Sequence, residues 1–281
     1  MKNSWLISLS VVALMVLGTS CKSEFERVRT SGDPAVMLAR ADAYFGEEDY
    51  LKAQTLYELV ISSFRGKKEA EQIAFNYAYT YYYLEQYILG AYYFKNFSDT
   101  YGASRYKEEA EFMNAYSNYK MSPTFRLDQS YSLKAIDAFQ EFVNQHPASE
   151  RVGECNRLID EMRLKLEIKD YEAAVLYFDL QQYQAAIRSF ENLLIEFPDT
   201  RRAEEIRYMT ARSAFLLAQR SFVEKQEERY LDMVKRAEAF LSRYQDGDYV
   251  SGVEKMLADS KKRLKQLDNV RYQEQGSRSR S

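Results

Sequence analysis

The chain has 281 residues, of which only 10 are Gly and 4 Pro, while 46% are hydrophobic and 29% charged. So few turn-formers exclude a sandwich or barrel of many short strands, and 24 Tyr with 16 Phe exclude a disordered or collagen-like chain. Lys+Arg 39 nearly balance Asp+Glu 42, so no basic field points to nucleic acid, and one His (His146) with two Cys (Cys21 and Cys155) is too small a donor set for a zinc site.

Met1-Lys2-Asn3 carries positive charge, and Trp5 to Leu17 is an apolar run of 13 residues broken by two serines. That is short of the roughly 20 residues needed to span a bilayer. A charged start, a short apolar run and a small-residue exit describe an export signal over residues 1–20. The exit, Leu17-Gly18-Thr19-Ser20-Cys21, resembles the lipobox of bacterial lipoproteins, although Leu17 stands one place earlier than the usual leucine. The resemblance implies that Cys21 is acylated and becomes the mature N-terminus, which removes it from any disulfide with Cys155. The lipid on Cys21 is the only attached group implied; no metal and no other cofactor is expected. Residues 21–33 read as an anchored linker. Lys22 and Ser23, with no Asp after the cysteine, favour the outer membrane by likeness to Gram-negative lipoproteins.

From residue 34 onward the chain repeats itself. The clearest copy is Tyr183, Ala186, Phe190, Leu193, Phe197 and Pro198. Others are Tyr50, Ala53, Tyr57, Val60, Phe64; Tyr87, Gly90, Phe94, Phe97, Tyr101; Ala135, Phe139, Phe142, His146, Pro147; and Tyr230, Met233, Ala237, Phe240, Tyr244. Steps of three and four put each set on one helix face. An earlier amphipathic stretch precedes these helices: Leu38, Ala41, Tyr44; Ala74, Tyr77, Ala78, Tyr81; Ala173, Ala174, Tyr177. The pattern resembles the tetratricopeptide helix-turn-helix repeat. The fold expected is all-α, a helical-hairpin solenoid of about five such repeats with a C-terminal capping helix.

Equivalent positions Tyr57, Phe94, Phe139, Phe190 and Ala237 are 37, 45, 51 and 47 residues apart, longer than a standard repeat of about 34. Met121 to Ser130 is one insertion, and a long helix from Glu150 to Leu180 connects two halves. Its apolar side is marked by Val152, Leu158, Met162, Leu166 and Tyr171. The organisation expected is repeats one to three over 34–148. Residues 149–270 then hold the connecting helix, repeats four and five, and a capping helix over Asp248–Leu267 with Val253, Met256, Leu257, Leu264 and Leu267 inward. Residues 271–281 form a disordered tail. Cys155 reads as a small buried hydrophobe and His146 as a structural residue.

Repeat solenoids are binding scaffolds by default. Eight tyrosines fall between Tyr77 and Tyr93. The register assigns Tyr77 and Tyr81 to the core, and Phe75, Tyr79, Tyr82 and Tyr83 to the face that lines a peptide groove. No nucleophile elbow, phosphate loop or zinc motif is present, and the acids Asp42, Glu47, Glu48 and Asp49 read as a solvated turn. No enzymatic activity is expected.

Lipobox, length, five irregular repeats and the exits Phe197-Pro198-Asp199-Thr200, Phe64-Arg65-Gly66 and Tyr101-Gly102-Ala103-Ser104 together resemble the BamD family of outer-membrane β-barrel assembly lipoproteins. The resemblance implies a lipid-anchored, non-enzymatic scaffold in the outer membrane, on its periplasmic face. Its C-terminal repeats would dock on the periplasmic repeat domains of the barrel-forming subunit. Its N-terminal repeats would meet unfolded outer-membrane proteins. Because fold alone does not give function, a second scaffold role stays open, as an adaptor for cell-wall or nutrient-uptake complexes.

Overall fold

The computed structural model describes residues 23–278, with side chains to residue 270; the signal segment, Cys21 and the last three residues lie outside it. Among the described residues there are twelve α-helices and no strand. They run α1 Glu24–Arg29, α2 Pro34–Gly46, α3 Tyr50–Val60 with a 3₁₀ turn Ile61–Phe64, α4 Ala70–Tyr83, α5 Tyr87–Thr100 and α6 Lys107–Lys120. The remainder are α7 Ser130–Gln145, α8 Val152–Asp179, α9 Tyr183–Glu196, α10 Ala203–Gln219, α11 Val223–Arg243 and α12 Val250–Arg278. From α2 to α11 these form five consecutive hairpins followed by a capping helix.

The chain divides into two compact units, one of residues up to Pro123 with Gln129–Ile159, the other of Thr124–Asp128 with Asp160 onward. The division falls inside α8, eleven residues beyond the expected boundary at 148/149. In the first unit each helix packs on the next from α2 to α7. Ala53, Tyr57 and Val60 of α3 are fully buried against Ala41 and Tyr44 of α2 and Ile73, Tyr77 and Tyr81 of α4. The small residue lets the helix axes approach, and the aromatic fills the groove beside it. In the second unit Ala174 of α8 packs with Ala186, Phe190 and Leu193 of α9, Phe197, and Ile206 of α10. Met233, Ala237 and Phe240 of α11 then pack on Val253 and Met256 of α12.

Two local devices recur. In the turn inside hairpins one, two and four, Glu48, Glu85 and Gln181 take the left-handed conformation at φ 62°, 57° and 61°. The following residue's N–H donates back to the carbonyl of Tyr44, Tyr81 or Tyr177 at 2.9 Å, and the left-handed residue's own N–H donates to Phe45, Tyr82 or Phe178. These are paired end-of-helix bonds of the Schellman type, which satisfy carbonyls that the helix leaves open. Between hairpins, Ser104, Ser149 and Thr200 each stand three residues after an exit aromatic or His146. Each hydroxyl accepts a backbone N–H two residues on, at 2.9, 3.2 and 3.1 Å. Each donates to a carboxylate of an earlier helix: Ser104 to Glu71 at 2.5 Å, Ser149 to Glu108 at 2.6 Å and Thr200 to Glu167 at 2.6 Å. In the fifth exit the same place after Tyr244 is Gly247. The Glu204 carboxylate occupies the space a Cβ would take there and accepts the N–H of Tyr249 at 3.3 Å.

Several expectations are corrected. The stretch read as linker contains α1, capped by Ser23, with the Phe25 ring 6.0 Å from Tyr44. The capping helix continues to Arg278, so 271–278 is helical where a disordered tail was expected. Tyr177, placed by the repeat pattern in the core, is exposed; Ala174 and Phe178, four residues apart, take the inner side. Among the described residues, the second unit holds no helix before its share of the long helix, residues 160–179.

Candidate binding groove

The last turn of α4 carries three consecutive tyrosines. Successive helical residues point about 100° apart, so the three diverge. Tyr81 turns into the core, where its hydroxyl shares a 2.8 Å hydrogen bond with that of Tyr77 and its ring stacks on Tyr93 at 4.7 Å. Tyr82 leans toward the next hairpin, 5.6 Å from Tyr87 and 6.3 Å from Tyr116. Tyr83 leans back toward the first hairpin and stacks on Tyr50, centroids 4.3 Å apart at 17°, with Phe45 at 6.3 Å. Tyr79, one turn earlier, is stacked 5.5 Å from Tyr83. Tyr116 continues to Tyr119 at 5.6 Å, and the Lys120 ammonium lies 5.7 Å from the Tyr87 ring centre. Rings from three hairpins form one ladder.

The four residues expected to line a groove divide three ways. Tyr83 is 46% exposed. Tyr82 is half-buried, and burial, then the neighbouring Tyr116, Tyr87 and Tyr83 hydroxyls, push its pKa up to about 12. Tyr79 is half-buried with its hydroxyl donated to Glu109 at 2.5 Å; burial first and then this carboxylate hold its proton on well beyond the usual range. Glu109 is itself paired with Arg151. Phe75 is a correction: it is 7% exposed, stacked on Tyr106 at 4.5 Å and packed against Phe97 at 5.2 Å. It belongs to the core between hairpins two and three. Tyr50 and Tyr87, repeat positions not expected in the groove, and Tyr116, outside the repeat pattern, also belong to the ladder. Tyr50 and Tyr87 each open the second helix of a hairpin immediately after a left-handed turn, which is the signal that marks them.

The reactive-looking residues have structural partners. Asp42 accepts the Tyr57 hydroxyl at 2.7 Å, Glu47 pairs with Arg40 at 2.8 Å, and Asp49 caps α3 through the N–H of Lys52 at 3.4 Å. His146 Nε2 lies 2.5 Å from Glu111. Cys155 is fully buried, and burial pushes its thiol up to about 11, so it is a poor thiolate at neutral pH. Among the described residues no three His, Cys, Asp or Glu converge in a way that could hold a metal ion.

The family model described as an outer membrane lipoprotein, YfiO, matches residues 32–206. The chain belongs to this family, the BamD outer-membrane lipoproteins. The match runs from just before α2 into α10, so it takes in the first four hairpins and the whole aromatic ladder. Among the described residues of this family member, no helix is long and apolar enough to cross a membrane. The comparison with curated proteins gives no match. Among solved structures the chain is similar to a Rap protein complexed with competence and sporulation factor, at 16% identity over 83% of this chain and 76% of that one. The TM-score is 0.35, too low for that likeness to carry an argument.

Proposed function

We propose that this protein is a lipid-anchored, non-enzymatic scaffold of the outer-membrane β-barrel assembly machinery. The observation that carries the reading is the family match over residues 32–206. In this reading Cys21 bears the lipid and holds the protein on the periplasmic face of the outer membrane. The second unit docks on periplasmic repeat domains of the barrel-forming subunit. The first unit receives unfolded barrel segments, whose alternating apolar residues and aromatic ends match a ladder of tyrosine rings chemically. Recognition and positioning are the whole mechanism; no bond is made or broken.

Tyr83, which is exposed and keeps no hydrogen bond that folding needs, is the cleanest probe of the groove. Tyr83→Ser removes one face of the Tyr50 stack and is expected to weaken binding of an unfolded barrel segment about tenfold, the scale of one aromatic contact at an interface. Isothermal titration with a synthetic C-terminal strand of a barrel protein measures this. Unchanged affinity with an intact fold would move the peptide site off the ladder.

A further inference from the structure

We propose that a pocket between α9, α10 and α11 of the second unit binds a small apolar monocarboxylate, an arylalkanoate or a short fatty acid. The pocket has a volume of about 210 Å³. That is somewhat larger than the ~150 Å³ cavity that takes a benzene ring, so it suits one ring or a short chain with a head group. Phe240 and Thr210 are buried in its wall, Leu194 is half-buried and Ala239 is exposed. The Thr210 hydroxyl is spent on the carbonyl of Ile206 at 2.8 Å, so the donors on offer are those of the charged side chains.

Those donors are two guanidinium groups, Arg207 and Arg236, and they differ. Arg236 is engaged on both sides, by Glu191 at 2.5 Å and Asp232 at 2.7 Å. Arg207 meets no carboxylate; its hydrogen bond is a long one, 3.5 Å, to the carbonyl of Ala203 on its own helix. Its remaining N–H groups are open to a planar acceptor, and a guanidinium holds a carboxylate through two parallel hydrogen bonds. Charge sets the valence of the ligand. Arg207 and Arg236 balance Glu191 and Asp232. One helical turn further along the three helices, Arg188, Lys235 and Arg243 stand against Glu204, whose carboxylate is turned to the N–H of Tyr249. Three against one leaves a modest positive field, which favours a single carboxylate. A phosphate dianion would meet Glu191 in the same wall. Water would serve the guanidinium but not the apolar wall beside it; an apolar carboxylate serves both. The inference goes beyond the scaffold role and does not depend on which assembly the protein serves.

The full chain, in phosphatidylcholine nanodiscs with empty nanodiscs as the blank, is titrated with para-fluorophenylpropanoate and watched by fluorine NMR. The acid is expected to bind saturably and its neutral amide about tenfold more weakly, the scale of a hydrogen bond to a charged group. Arg207→Gln should weaken the acid by the same factor and leave the amide unchanged. Ala239→Phe, at an exposed position, should fill the pocket and remove both while the thermal melt stays that of the parent. Octanoate should displace the probe and acetate, which has the charge without the apolar part, should not. No saturable binding by the folded parent protein overturns the proposal. So does equal binding of acid and amide, displacement by acetate as readily as by octanoate, or binding that ignores both substitutions.

Discussion

At the scale of single residues, the repeat is a rule about volume. Ala53, Ala135, Ala186 and Ala237 are fully buried at the close approach of helices, and Gly90 stands in their place in α5. A Cβ built on Gly90 would lie 3.5 Å from Ser117 Oγ and from the Tyr82 backbone N, which is ordinary contact. Gly90→Ala is therefore expected to raise stability by up to about 1 kcal/mol, the difference in helix propensity. Urea denaturation measures it, and a loss of stability would show that this approach needs glycine. The small and aromatic positions were legible in the sequence because side-chain volume repeats at helical spacing. Phe75 was not, because the ring that covers it, Tyr106, lies 31 residues later in a loop whose path no periodicity encodes. Tyr79 is half-buried, and the Glu109 carboxylate that holds its hydroxyl comes from the next hairpin, a partner that repeat spacing does not encode.

At the scale of elements, the hairpins are joined by hydroxyl latches whose strength follows burial. Thr200 is 8% exposed and its hydroxyl bridges Glu167 and the N–H of Arg202. Thr200→Val keeps the shape and leaves the carboxylate short of a donor, so it should cost about 1.5–3 kcal/mol, as for a hydrogen bond to a charged group. Ser104→Ala, at a half-buried latch, should cost a similar amount, and Ser149→Ala, at an exposed one, under about 1 kcal/mol. Thermal melts of the three variants test this; a loss for Ser149→Ala as large as that for Thr200→Val would mean that burial does not set the strength of the latch. The number of hairpins, the insertion before α7 and the long helix α8 were all legible, since each leaves a period or a break in period. The extension of α12 to Arg278 was not, because a polar Ser/Arg/Gln run has no apolar stripe to announce a helix. Neither were the left-handed turns at Glu48, Glu85 and Gln181, where glycine is the usual marker.

At the scale of the whole molecule, the many buried phenols set a pH limit. Burial holds the Cys155 thiol near 11 against an ordinary 9.0 and Tyr82 near 12 against 10.0, and raises Tyr57, Tyr77, Tyr79 and Tyr171 as well. The unfolded chain loses these protons first, so above about pH 9 it binds fewer protons than the folded one, and stability falls as pH rises. Urea midpoints are expected to hold level to pH 9 and decline steadily from there to pH 12; a level midpoint at pH 11 would contradict the burial of these groups. The family was legible at this scale from the lipobox-like run before Cys21 and the repeats together, whereas the partner surfaces were not, since repeats encode a scaffold and leave its ligand to exposed residues. Service in barrel assembly is tested most directly by co-purification. A C-terminally tagged chain extracted in mild detergent is expected to bring down, in near-equal amount by mass spectrometry, a large barrel protein with repeated periplasmic domains. Recovery of the chain alone, or with cell-wall or nutrient-uptake proteins, would contradict it.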